Sequence, residues 1–263
     1  MTNPKEIIKV GYIEDVIDDT RCLTTDANGT LYTSRPHLFP KYFLREIGNS
    51  IRERSDGQEA AIYLAEFGKA VCSGMDVGRL KEIVHNSIVR NAKESVFKNS
   101  TKKYIENHQF PGVIDFIRSY RNSGNGKKFM ISSRHPLAEV AAELFEADDV
   151  VSNKTIFRDG KFYTSYIPIR TDEDKLRATE KRLKEQNLSL EKDCLYIGDK
   201  DQDVLPGLKA RHFWASPHAN SKVKKEADFI VTDYRLISKV IDYITARKLQ
   251  QEMPKVQPSS QFS

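Results

Sequence analysis

The chain has 263 residues, 39% of them hydrophobic and 30% charged, with a net charge of +5. That length holds one sizeable α/β domain with a smaller insert, and the composition excludes a disordered chain. No apolar run reaches the length of a membrane span, and residues 1–10 form no apolar signal core, so a cytoplasmic protein without a membrane partner is expected.

Cys22, Cys72 and Cys194 are scattered and odd in number. They suit a reducing compartment, and no paired Cys/His spacing points to zinc. Lysines and arginines are spread along the chain with no stripe interleaved with aromatics, so no nucleic-acid partner is expected. A mild positive field favours an anionic ligand instead. A homodimer is compatible with the sequence.

In chain order, residues 22–25 form the first strand candidate, less apolar than a buried central strand usually is. Residues 35–110 read as all-helical, with Leu80, Ile83, Val84 and Ile88 on one apolar face and breaks near 55–57 and 73–74. Pro111 and Gly112 open a helix through Ile114 and Ile117 that stops at Gly124. Residues 128–131 are a second strand, followed by a helix presenting Leu137, Val140, Ala141 and Leu144. Asp159-Gly160 reads as a hairpin turn, and residues 194–197 and 229–231 as further strands. This alternation predicts a Rossmann-like α/β core with a parallel sheet. The core comprises 1–34 and 111–248, with an inserted helical cap at 35–110 and a disordered polar tail at 249–263.

Four segments follow predicted strands or precede the last motif, where an open α/β sheet gathers its ligands. Asp26 follows the first strand and can attack phosphorus, forming an acyl phosphate. Ser132 and Ser133 end the second and can hydrogen-bond a phosphoryl oxygen. Lys175 can neutralise nucleophile and phosphate together. Gly198 to Asp203 gathers Asp199, Asp201 and Asp203, oxygen donors suited to magnesium (Mg2+). Taken singly, each segment has a plainer reading: a turn, a helix cap or a solvated lysine.

Together and in this order, they resemble the haloacid dehalogenase-like hydrolase superfamily. Asp26, Gly29, Thr30 and Leu31 match its first motif, and the strand ending at Ser132 matches its second. Lys175 matches the third motif, and Gly198, Asp199 and Asp203 match the fourth. The helical insert after the first motif is similar to the cap of the phosphoserine phosphatase-like branch. The resemblance implies a magnesium-dependent phosphatase or phosphotransferase acting on a small phosphorylated metabolite. Asp26 would be nucleophile and ligand, Asn28 would offer its backbone carbonyl to the metal, and Asp199 would bind it directly. Asp203 would bind through water or orient its neighbours. Gly29, Thr30, Ser133, Arg134 and Arg35 are the substrate-side candidates.

Two positions depart from that pattern. The family's phosphatases carry a second aspartate, an acid and base, where this chain has Asn28. A slow or inactive relative, an acid supplied from elsewhere (His135, a cap residue or the substrate itself) and an altered variant all fit that change. The alternative to catalysis is a phosphatase-like protein that binds a phosphorylated ligand or partner. Phosphoserine phosphatases also carry a glutamate nine positions after the nucleophile, where this chain has Arg35. A cation there disfavours an ammonium group and favours a second anion on the substrate.

Overall fold

The computed structural model describes residues 10–33 and 93–252. Its strands are β1 (Cys22–Thr25), β2 (Lys128–Ser132), β3 (Asp149–Val151) and β4 (Lys154–Arg158), then β5 (Lys161–Tyr166), β6 (Cys194–Gly198), β7 (His212–Ala215) and β8 (Phe229–Ile230). Its helices are α1 (Val10–Asp19), α2 (Glu94–His108), α3 (Val113–Asn122), α4 (Ala138–Leu144) and α5 (Asp172–Glu185). They continue with α6 (Leu190–Asp193), α7 (Val204–Lys209), α8 (Ser221–Glu226) and α9 (Tyr234–Glu252).

Six strands make one parallel sheet in the order β3-β2-β1-β6-β7-β8. The chain moves outward from β1 in one direction, then returns to its other side at β6. Loops at the carboxyl ends of β1, β2 and β6 therefore diverge around one crevice. Because side chains alternate along a strand, the sheet has two apolar faces. Leu23, Phe129, Leu195 and Trp214 pack with Ile13 of α1, Phe116 of α3 and Ile237 of α9. Cys22, Met130, Tyr196 and Phe213 pack with Leu183 of α5 and Val223 of α8. Thr24 and Thr25 are fully buried, which explains how β1 serves as a central strand despite its modest hydropathy.

The expected parallel α/β core is present. The Asp159-Gly160 turn joins β4 to β5, with φ of 50° and 71° at its two residues, the mirror-image geometry that suits a tight hairpin. Not anticipated were α1, β3, β7 and the individual helices α6 to α9. The last helix runs to Glu252, beyond the expected start of the tail, because 249–252 are good helix formers and Pro254 follows them. Of the expected insert, α2 is described, and its Tyr104 and Ile105 join the main core cluster. Insert positions 35–92, including Arg35, Cys72 and the 80–88 face, lie outside the described residues.

Phe116 is buried between Trp214 and Tyr234, with ring centroids 6.5 and 5.2 Å away. Phe116→Ala is therefore expected to lower the unfolding free energy by about 3–5 kcal/mol, read as an earlier urea midpoint. A loss below about 1 kcal/mol would mean that this ring does not brace α3 against the sheet.

Candidate active site

Asp26 immediately follows β1, its backbone N–H donating to the Ile197 carbonyl at 3.0 Å. Strand alternation gives it the same side as Cys22 and Thr24, the side covered by α5. The loop then turns sharply at Gly29, whose φ is +100°. A Cβ there would sit 2.0 Å from Asp199 Oδ2, so this position needs glycine on both counts. Thr30 donates its hydroxyl to Asp199 Oδ1 at 3.2 Å, and its carbonyl accepts from the Tyr234 hydroxyl at 2.9 Å. Gly29 and Thr30 thus fit around Asp199.

Opposite this loop stands Lys175, completely buried on α5. Its ammonium donates to Asp203 Oδ1 at 2.5 Å and to Asp26 Oδ1 at 3.1 Å. A capping box fixes the helix start: Asp174 N–H donates to the Thr171 hydroxyl, and Thr171 N–H donates to the Asp174 carboxylate. Asp203 accepts on both oxygens. Tyr196 donates to Oδ1 at 3.1 Å, while the backbone N–H groups of Asp199 and Lys200 donate to Oδ2 at 2.9 and 3.0 Å. Asp203 therefore organises the loop that carries Asp199.

The site is short of positive charge. Burial raises the Asp26 carboxyl above the ordinary range, with Lys175 pulling the other way. Burial, then the charges of Asp26 and Asp203, pushes Asp199 up to about 8. Burial works against the Lys175 charge, but Asp203 and Asp26 outweigh it and hold the ammonium well above its usual value. Two buried polar atoms have no partner here, Asp26 Oδ2 and Asn28 Oδ1.

These features fit a hard divalent cation. Asp26, Asp199 and Asp203 each offer a carboxylate oxygen, all within 4.8 Å of one another, and they form the one such group among the described residues. Because Asp203 already accepts four hydrogen bonds, Asp26, Asp199 and the Asn28 carbonyl are the better donors.

The two serines part company at the end of β2. Ser132 faces α5, where its hydroxyl pairs with Thr179 Oγ1 at 2.6 Å. Thr179 in turn donates to the Lys175 carbonyl at 2.7 Å, so Ser132 steadies the helix rather than the crevice. Ser133 lines a cavity of about 480 Å³ together with Asp26 and Asn28, and its hydroxyl favours the charged form of Asp26. Arg134, Arg170 and Lys200 contribute cationic walls. Arg134 is anchored, pairing with Asp172 at 3.3 Å and donating to the Arg170 carbonyl. His135 also lines the cavity, with Nδ1 accepting from the Leu137 N–H at 3.2 Å.

The sequence reading missed Thr179, Tyr196 and Lys200. Tyr196 stands on a strand already identified, and Lys200 inside a motif already identified. Thr179 carried one faint signal, its spacing of one helical turn from Lys175.

No family model and no curated protein sequence matches the chain. Solved structures do resemble it. A substrate-bound phosphoserine phosphatase shares 19% identity at a TM-score of 0.55, covering 85% of this chain and 98% of its own. A haloacid dehalogenase family hydrolase from Salmonella enterica serovar Typhi shares 14% identity at a TM-score of 0.57, covering 89% and 79%. A probable phosphoserine phosphatase from Vibrio cholerae shares 16% at 0.55, covering 92% and 70%. The chain has the haloacid dehalogenase-like fold. Within that fold, its likeness is to the phosphoserine phosphatase form.

Lys175→Met would leave Asp26 and Asp203 buried without their common cation. Removing one partner of such a buried set costs about 3–5 kcal/mol, measured as a lower urea midpoint. Adding Asp26→Asn to that variant should restore part of the loss. Equal stability of wild type and Lys175→Met would show that the ammonium does not balance these acids.

Proposed function

We propose that this chain is a magnesium-dependent phosphomonoester hydrolase or phosphotransferase working through an aspartyl-phosphate on a small phosphorylated metabolite. The observation that carries this reading is Lys175, buried and within 3.1 Å of Asp26 and 2.5 Å of Asp203, beneath the cationic cavity.

An Asp26 oxygen attacks phosphorus as the ester P–O bond breaks, the leaving oxygen departing with the bonding pair. Lys175 and the Ser133 hydroxyl offset charge on Asp26 and on the transferring group. In this proposal Ser133, rather than Ser132, takes the phosphate-contacting role, and Arg134 fixes the adjoining wall. Water then attacks phosphorus and returns Asp26 as a carboxylate. Magnesium held by Asp26, Asp199 and the Asn28 carbonyl would relieve the repulsion between carboxylate and phosphate. The insert at 35–110 is proposed to act as a helical cap over the cavity.

Both steps need a proton moved, and the Asn28 carboxamide can donate a hydrogen bond but cannot exchange a proton near neutral pH. General acid–base help of roughly 10²–10⁴-fold is then missing at this position. That residue supports the second reading, a catalytically impaired protein that binds a phosphorylated ligand or partner.

Asn28→Asp is expected to raise phosphatase turnover by about 10²-fold on a phosphate-ester panel with magnesium. Fresh wild-type protein given acetyl phosphate should accumulate phosphorylated Asp26, seen by intact-mass spectrometry and absent in Asp26→Asn. The mass measurement also controls for deamidation at Asn28-Gly29, which would create the aspartate unaided. If fresh wild type turns over as fast as Asn28→Asp, another group supplies the acid, and His135 is the first to test. If neither hydrolyses any ester, the binding reading replaces the enzymatic one.

Arg35 is proposed to read a second anionic group on the substrate. Arg35→Ala should weaken a doubly anionic substrate by about 1–3 kcal/mol while sparing a plain alkyl phosphate, compared through kcat/KM. Equal losses on both substrates would assign Arg35 to the common phosphate or to cap stability.

A further inference from the structure

Lys200 lies inside the acidic motif, yet its side chain leaves that loop. Its ammonium donates to the Asn28 carbonyl oxygen at 3.1 Å and lies 3.5 Å from Asp199 Oδ2. Those two oxygens belong to the set argued above to hold a divalent cation. The third member, Asp26, keeps a buried Oδ2 with no partner. Lys200 also lines the cavity over Asp26, and its side chain is 43% exposed, so it has room to turn away from the oxygens.

We propose that Lys200 is a tethered cation occupying the divalent-cation position, and that a metal ion must displace its ammonium into the cavity, where it meets the substrate's phosphate. This inference rests on the magnesium reading above and adds a competition to it. The physical reason is mutual exclusion. An ammonium and a divalent ion on the same carbonyl and carboxylate oxygens are like charges at contact distance and repel each other strongly. The lysine also partly neutralises a pocket in which three acids face Lys175, the one fully buried cation among the described residues. Magnesium affinity is accordingly lower than the three-oxygen set alone would give, and phosphate affinity rises once magnesium has released the lysine.

Isothermal titration calorimetry of the full chain with magnesium chloride, then with inorganic phosphate at saturating magnesium, tests this. Lys200→Met should bind magnesium at least tenfold more tightly than wild type and, with magnesium present, bind phosphate several-fold more weakly. Lys200→Arg retains a cation on a longer side chain and should not gain that affinity, which keeps the comparison usable if Lys200→Met folds poorly. Lys222→Met is the control for net charge: Lys222 pairs with Asp201 at 3.6 Å and does not touch the three-oxygen set. If it tightens magnesium as much as Lys200→Met, a general charge effect explains the gain and the proposal falls. It also falls if Lys200→Met leaves magnesium affinity unchanged while Asp199→Asn abolishes it, the magnesium reading then standing alone. If Asp199→Asn binds magnesium as wild type does, the magnesium reading itself fails.

Discussion

The ammonium of Lys175, sealed from water between Asp26 and Asp203, fixes the geometry on which the candidate site depends. Three charges buried together are tolerable only when paired closely and supplied with further hydrogen bonds. The structure meets that condition asymmetrically. Asp203 accepts from Lys175, Tyr196 and two backbone N–H groups, whereas Asp26 keeps one oxygen unpartnered. The satisfied acid serves the fold, and the unsatisfied one is the proposed nucleophile. Because the Asp203 bonds run to the N–H groups of Asp199 and Lys200, the same ion pair sets the path of the loop holding Asp199. A Cβ at Gly198 would come within 2.3 Å of the Asp203 Cβ, so the strand end itself is shaped to let that carboxylate approach.

Much of this architecture was legible in the sequence because strand alternation and motif order are local properties. Residues 22–25, 128–131 and 194–197 are short apolar or β-branched runs, and each became a strand at its expected place. β3 and β7 escaped notice: one is three residues long, and the other opens on His212, so neither offers a full alternating period. The burial of Lys175 was invisible for a different reason. Its helix is densely charged along its length, and only tertiary packing against the Asp203 loop and α7 turns one lysine inward. Motif order singled out Lys175, but no window of sequence reports that it is the buried lysine of its charged helix.

Ser132 and Ser133 show how sharply the sheet divides adjacent roles. Ser132 is the last strand residue and points beneath α5, where Thr179 takes its hydroxyl. Ser133 is the first residue past the strand and lines the cavity. A one-residue difference at a strand end exchanges the two faces of a sheet, so two consecutive serines leave the assignment undecided until the strand end is known. The buried serine still bears on the site, since the Ser132–Thr179–Lys175 carbonyl chain locks α5 one turn beyond the critical ammonium.

Asn28 belongs to a loop whose shape does not depend on its side chain. Leu31 N–H donates to the Ala27 carbonyl, Gly29 N–H to the Tyr32 carbonyl, and the Ser216 hydroxyl to the Gly29 carbonyl. The side-chain oxygen at position 28 is buried without a partner, an arrangement that costs about 1–3 kcal/mol where it persists. The loop's backbone bonds do not involve that side chain, so an aspartate can replace the asparagine with the backbone unchanged, adding one acid to the cluster and a group that can exchange a proton. The buried acid and lysine cluster of Asp26, Lys175, Asp199 and Asp203 makes no hydrogen bond to the Asn28 side chain among the described residues. In the proposed reading Asp26 belongs both to the buried ion pair and to the transfer of the phosphoryl group, whereas position 28 bears on the proton that each step must move.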